Sequence, residues 1–134
     1  MIRTLRIRPD SQGLHEITGS VRAALADHRT DGLCTLFVRH TSCSLTIQEN
    51  ADPSARRDLE AFLKRLVPEN DPAYTHTAEG PDDMPAHIKA ALTATSLSIP
   101  VINGKLALGT WQGIFLWEHR RHGGTREVVV HVGA

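Results

Sequence analysis

The chain has 134 residues, with 15 Lys plus Arg balanced by 15 Asp plus Glu. That neutrality argues against nucleic acid as a partner, since such binding rests on a basic stripe that neutralises phosphates, and no stretch reaches the roughly 20 apolar residues of a membrane span. Hydrophobic residues make up 40% and aromatics 4%, so a single domain over residues 1–134 is expected, with a core of Leu, Ile, Val and Ala and apolar surface left over for subunit contacts.

The run from Ile2 to Arg8 sets Arg3, Arg6 and Arg8 among Ile2, Leu5 and Ile7, which predicts a strand with Leu5 and Ile7 on one face and not a secretory leader. After a turn at Ser11-Gln12-Gly13, the residues Leu14, Ile17, Val21, Leu25 and His28 recur at helical spacing, with Thr18 as an N-cap and Asp31-Gly32 as the stop. Leu33 to Arg39 and Ser44 to Gln48 read as buried strands separated by the polar turn His40-Thr41-Ser42. Cys34 and Cys43 lie in these apolar runs and form no ligand-type pair. They are expected to be reduced core thiols of a cytoplasmic protein.

Asn50-Ala51-Asp52-Pro53 predicts a helix start, with Asp52 capping and Pro53 at the first helical position. Ala55, Leu59, Phe62, Leu63, Leu66 and Val67 then line one face, and Pro68 stops the helix. From Glu69 to Met84 no periodicity remains, as in a functional loop. Pro85 opens a third helix with Ile88, Ala91 and Leu92 facing inward. Leu97 to Ile102 and Lys105 to Leu108 flank Asn103-Gly104, a type I′ hairpin signal. Gly113 to Arg120 and Arg126 to Val132 are expected to form a second hairpin across His122-Gly123-Gly124-Thr125. The order is strand, helix, two strands, two helices, four strands. This predicts an α+β fold in which three helices pack on a largely antiparallel sheet.

Eight histidines are the compositional oddity, and His119, His122 and His131 crowd the last strands. The segment from Tyr74 to His87 holds the densest set of ligand-type side chains. Asp83 and His87 are four apart and share a face if that turn is helical. His40 can approach from the sheet. Imidazole suits zinc and carboxylate suits magnesium, so His40, His76 and His87 are candidate ligands of a divalent ion able to activate water. Equally, Asp82 and Asp83 can serve as helix caps, and His40 and His87 as satisfied half-buried histidines. Gly109-Thr110-Trp111-Gln112-Gly113 reads either as a tight bend offering Trp111 for stacking and Gln112 for hydrogen bonding, or as a bulge with Trp111 in the core. Glu118, inside the apolar run Ile114 to Trp117, needs a partner if buried, and Arg120, Arg121 or a histidine would serve.

His40-Thr41-Ser42, Asn50-Ala51-Asp52-Pro53, His76 with Glu79 to His87, and Leu108 to Gly113 together resemble the YjbQ-like family, over about Leu5 to Val132. The resemblance implies a homotrimer with sheets packed around a threefold axis. It also implies an activity of the secondary thiamine-phosphate synthase type, a transferase joining hydroxymethylpyrimidine diphosphate to a thiazole phosphate with release of pyrophosphate. On that reading His40, His76, His87 and Gln112 are catalytic. Thr41, Ser42, Asn50, Asp52, Glu79, Gly80, Asp82, Asp83, Thr110, Trp111 and Glu118 contact the substrate. Asp52, Asp82 and Asp83 would carry magnesium on the phosphates, with Arg56, Arg57 and Arg120 supplying positive charge, because the chain has no Gly-rich phosphate loop. No organic cofactor is expected.

Two other readings fit the same residues. One is a metal-dependent hydrolase, the other a non-catalytic trimeric module that binds a small metabolite. In each case the loop Glu79 to Asp83 and the strand end at Gln112 are expected to wall one cleft, within a subunit or between two.

Overall fold

The computed structural model describes residues 1–134. Its elements in chain order are β1 (Ile2–Ile7), β2 (Gly13–Glu16), α1 (Thr18–Ala24), β3 (Gly32–Val38), β4 (Cys43–Glu49), α2 (Pro53–Leu66), α3 (Asp83–Leu92), β5 (Ser96–Ile102), β6 (Lys105–Leu106), β7 (Gln112–Glu118) and β8 (Arg126–Gly133). The class is α+β, as expected. The strands, however, form two curled sheets and not one: β1-β8-β3-β5-β6 and β2-β7-β4, with every pairing antiparallel. No helix is long and apolar enough to cross a membrane.

Alternation along the strands dictates the sandwich. On the larger sheet Cys34, Leu36 and Val38 share a face with Ile99, Val101, Val128, Val130 and Val132, and all are buried. They meet Cys43, Leu45, Ile114 and Leu116 of the smaller sheet in one core cluster, into which α1 inserts Val21 and its two flanking residues Ile17 and Leu25. The core is thus aliphatic, as the composition requires. The smaller sheet buries its other face too: Leu14, Phe115 and Trp117 form a second cluster against Leu59 and Leu63 of α2. The opposite face of the larger sheet has no such cover. Ile2, Leu33, Phe37 and Ile102 are all exposed.

The second hairpin expected between Gly113 and Val132 is not formed. β7 pairs with β2 and β4, whereas β8 pairs with β1 and β3. The reason is that β7 is buried on both faces and needs neighbours on both edges, so the chain crosses to the other sheet after Glu118. The Asn103-Gly104 hairpin is as expected. Both residues have positive φ, 52° and 79°, and a Cβ on Gly104 would come within 2.3 Å of the His28 carbonyl oxygen.

Three helical readings are corrected. Leu14 belongs to β2, and Thr18 is the first residue of α1 and not its cap. Its hydroxyl instead donates to Glu16 and accepts the Ile114 N–H, tying the helix to β7. On α2 the expected apolar face is only partly used: Phe62 and Leu66 are exposed. α3 starts at Asp83, with Pro85 in its first turn where an N–H would lack a helical partner anyway. Its buried face is Asp83, Pro85, Ala86 and Lys89, and Leu92 points outward.

Candidate functional site

The loop before α3 is built to deliver carboxylates. Gly80 adopts φ 103°, a left-handed conformation, and its carbonyl accepts the Asp83 N–H at the helix start. Asp82 accepts the Arg121 N–H at 3.0 Å and lies 3.4 Å from the Arg120 guanidinium. Burial would raise its carboxyl, but these hydrogen bonds and the Arg120 charge outweigh that and hold it below the usual carboxylate range. Arg120 also donates to the Glu79 carbonyl at 2.7 Å and lies 3.4 Å from Asp83 Oδ1. Its hydrogen bond to Asp82 leads the effects that raise its own pKa.

Asp83, only 2% exposed, is the hinge of the site. His76 Nε2 stands 2.7 Å from its Oδ2, and His87 Nε2 stands 3.3 Å from the same oxygen. Burial would raise the Asp83 carboxyl, but the His76 hydrogen bond and the nearby Arg120 and His87 hold it low. The two imidazoles are tilted at 60° with centroids 5.2 Å apart. Ligand-type atoms of His76, Asp83 and His87 all lie within 4.8 Å of one another. A cavity of about 280 Å³, lined by Tyr74, His76, Thr77, Gly80 and Met84, opens beside them.

His87 Nδ1 lies 2.9 Å from the Thr41 carbonyl oxygen. A carbonyl only accepts, so Nδ1 carries the proton and a neutral His87 presents a lone pair at Nε2 toward Asp83. An N–H given to a backbone carbonyl is the usual support of a metal-binding imidazole.

His40 is not part of this cluster. Its Nε2 accepts the Glu127 N–H at 2.8 Å, and burial and then Arg126 push its pKa down. The residue that completes the set is Asp83, which the sequence placed among the substrate contacts and the magnesium carriers, on one helix face with His87. The segment His40-Thr41-Ser42 contributes mostly backbone: the Thr41 carbonyl to His87, and the Ser42 carbonyl to the His119 N–H and to Arg126.

Other expected site residues lie elsewhere. Asp52 caps α2, accepting the Ser54 N–H, which lowers its pKa. Asn50 donates to Glu16. Arg56 stacks on the Phe115 ring at 5.0 Å, where it answers to packing. Glu118 is 1% exposed and paired with Arg126, so it has no face for a substrate. Thr110, Trp111 and Gln112 are exposed, Trp111 by 64%, which removes the reading of Trp111 as core. The tight bend is real: Gly109 N–H donates to Gln112 Oε1, and the Gln112 N–H returns to the Gly109 carbonyl. This bend and the histidine cluster sit toward opposite ends of β7, roughly 20 Å apart along the strand, so they do not wall one cleft within a subunit. The largest cavity, about 650 Å³ and lined by Arg22, His28, Arg29 and Lys105, includes none of the expected residues.

Three residues escape the sequence reading. Arg126 escapes because the partners weighed for Glu118 were Arg120, Arg121 or a histidine, whereas the fold pairs it with Arg126. His119 is 1% exposed, bonded to Ser44 at 2.9 Å, and its pKa is pushed down to about 3 by burial and then by Lys89 and Arg126. Lys89 is buried on α3, a position the expected apolar face hid.

A family model described as UPF0047 protein YjbQ-like matches residues 3–134. A UPF0047 protein of Synechocystis sp. is 54% identical over 129 residues, covering 96% of this chain and 88% of its own. UPF0047 protein YjbQ of Escherichia coli O157:H7 is 47% identical over 129 residues, covering 95% and 93%. Among solved structures, a conserved hypothetical protein from Thermus thermophilus superposes with TM-score 0.88 at 40% identity, over 98% of this chain and 99% of that one. An uncharacterized conserved protein of the yjbq/upf0047 family from Clostridium acetobutylicum gives TM-score 0.84 at 37% identity, over 99% of each chain. None of these names states an activity.

Proposed function

The chain belongs to the YjbQ-like family, UPF0047, and from the histidine cluster we propose that it is an enzyme using a divalent metal ion on a small phosphorylated substrate. One observation carries this reading: the Thr41 carbonyl accepts a hydrogen bond from His87 Nδ1–H, and the unprotonated Nε2 faces Asp83 Oδ2 at 3.3 Å. Two acceptors that face each other repel unless a cation or an added proton lies between them. A divalent ion satisfies His87, His76 and Asp83 together. Two imidazoles and one carboxylate suit zinc or a related ion better than magnesium. Three protein ligands of this kind also leave a position for water or substrate.

Within that reading, a thiamine-phosphate synthase type of transfer asks for positive charge at the departing pyrophosphate. When bound, the ion would stabilise that charge. Arg120 lies beside the cluster and keeps Asp82 and Asp83 ionised, which suits the same task. The cavity beside His76 would take the substrate. A homotrimer is supported by the uncovered face of the larger sheet, and a cytoplasmic setting by two buried free thiols.

The test is metal analysis of the purified protein and of Asp83→Asn, followed by turnover of hydroxymethylpyrimidine diphosphate with thiazole phosphate before and after chelation. A stoichiometric divalent ion, lost in the variant and weakened as pH falls through the histidine range, is expected, because protonated imidazole cannot ligate. Pyrophosphate release that needs both precursors would establish the transferase. Orthophosphate release from one substrate alone would mark a hydrolase, and binding without turnover a metabolite-binding module. A protein that takes up no divalent ion sinks the metal reading.

A further inference from the structure

On the far side of α3 from the histidine cluster lies a cavity of about 250 Å³, lined by Gln12, Glu60, Lys64, Lys89, Trp117 and His119 among others. Lys89 is 5% exposed, yet its ammonium makes no hydrogen bond and no ion pair. The acids near it are engaged elsewhere: Glu69 with Arg121, and Asp82 with Arg120 and the Arg121 N–H. Leaving a buried ammonium without a partner is costly, and native chains seldom do so without a use for it.

His119 adds a second unmet group on the same cavity. Ser44 is fully buried and its hydroxyl has no partner except His119 Nε2. When the Ser44 hydroxyl donates to Nε2, the neutral imidazole carries its own proton on Nδ1, which has no partner. Arg56 Nε is the one fully enclosed side-chain nitrogen or oxygen left unpartnered in the chain. Lys89 Nζ and His119 Nδ1 thus keep some access; both residues line this cavity, and Lys89 also lines an adjoining one of about 260 Å³ beside Glu69.

Lys64, exposed on α2 and free of ion pairs, adds a positive charge at the rim. Two carboxylates also line the space, and one of them is ion-paired. Glu60 accepts the Leu14 N–H at 2.9 Å, and Glu118 is held by Arg126. Lys64 and Lys89 outnumber the one carboxylate without a cationic partner, Glu60, so the balance of charge is positive and suits an oxyanion.

We propose that this cavity is a second site, in which Lys89, the His119 Nδ1–H and Lys64 hold the phosphate or carboxylate of a small molecule. Its volume is below the roughly 300–1,000 Å³ of sites for drug-sized ligands, so it takes an anionic headgroup and not a whole cofactor. The proposal is separable from the metal reading: Asp83 shares the buried face of α3 with Lys89, but His87 and Lys89 leave the helix on nearly opposite sides, and none of His76, Asp83 and His87 lines this cavity.

The test is titration calorimetry in EDTA with inorganic phosphate and with acetate, on the wild-type chain, Lys89→Met, Lys64→Glu and His87→Ala. Saturable binding at one anion per subunit is expected for the wild type and for His87→Ala. It should weaken by about tenfold or more in Lys89→Met, and measurably in Lys64→Glu. Phosphate favoured over acetate would point to a phosphorylated ligand, and the reverse to a carboxylate. If Lys89→Met does not fold, Lys64→Glu at the exposed rim decides. Absence of binding by both anions overturns the proposal. So does affinity unchanged in both lysine variants, or affinity lost in His87→Ala, which would put the anion at the histidine cluster.

Discussion

Arg126 Nε donates to Glu118 Oε1 at 2.7 Å, and the guanidinium also reaches the other carboxylate oxygen, between side chains 5% and 1% exposed. The pair joins the two sheets, since Glu118 ends β7 and Arg126 begins β8. Arg126 further donates to the Ser42 carbonyl and hydroxyl, so one cation closes the corner where three segments meet.

Removing only one partner leaves a buried charge uncompensated. Glu118→Ala should therefore cost about 3–5 kcal/mol, read as a lower urea midpoint. Glu118→Leu combined with Arg126→Met should recover much of that loss, because no charge then remains buried. Wild-type stability in Glu118→Ala would mean that the carboxylate does not hold the corner and is free for another role.

His119 makes stability depend on pH in one direction. Its folded pKa, about 3, lies below the ordinary 6.5, so between these values the unfolded chain binds the extra proton. Stability is then fully present above the ordinary value and falls as pH falls, by up to about 1.4 kcal/mol per pH unit. His40 is shifted the same way and adds to the slope. Asp82 and Asp83, held low, add theirs only below the ordinary carboxylate range, so the interval from about pH 6.5 to 4.5 reports on the histidines. His119→Gln should flatten denaturation midpoints across that interval. Identical slopes in the two proteins would show that His119 is not the group responsible.

Local chemistry was legible in the sequence where it is decided locally. Asp52-Pro53 starts α2, Asn103-Gly104 turns the hairpin, and Gly109 to Gln112 bends as its glycines suggest. Sheet membership was not legible. The alternation in Val128 to Val132 and the full burial of Ile114 to Trp117 are compatible with a hairpin between them. Only the whole core shows that β7 needs β2 and β4 as neighbours. The candidate site split for the same reason. His76, Asp83 and His87 lie within twelve residues of chain and meet by local geometry. His40 depended on which strand it faces, and that strand proved to be β8, through the Glu127 N–H. Lys89 was hidden because a helix face was drawn from apolar residues alone, while the buried face of α3 carries two charged ones, Asp83 and Lys89.

Gln112 now has a structural duty that can be weighed. Its Oε1 accepts the Gly109 N–H at 2.8 Å in an exposed bend. Gln112→Ala should remove one neutral, solvent-exposed hydrogen bond, worth about 1 kcal/mol, and lower the melting temperature by about 3–5 °C. Metal content should be unchanged, because the histidine cluster lies toward the other end of β7. A variant that loses its divalent ion at an unchanged melting temperature would show that Gln112 reaches the cluster of a neighbouring copy.

The uncovered face of the larger sheet gives the last prediction. Phe37 and Leu33 lie on β3, with Pro100 of β5 opposite Leu33 and Val129 of β8 opposite Phe37. Phe37 is 49% exposed, although its neighbours one step along the strand, Leu36 and Val38, are wholly buried. An apolar band across a bare sheet is the kind of patch that marks an interaction surface. In closed symmetric assemblies a second and third copy supply the cover. Sedimentation at micromolar concentration should give a trimer for the wild type. Phe37→Asp should shift it toward monomer by placing a charge where apolar contact is required, and Leu36, on the inner face, should keep that monomer folded. A wild-type monomer ends the trimer reading outright. A Phe37→Asp protein that stays trimeric would move the interface to other exposed apolar residues, of which Trp111, Phe62 and Leu66 are the next to test.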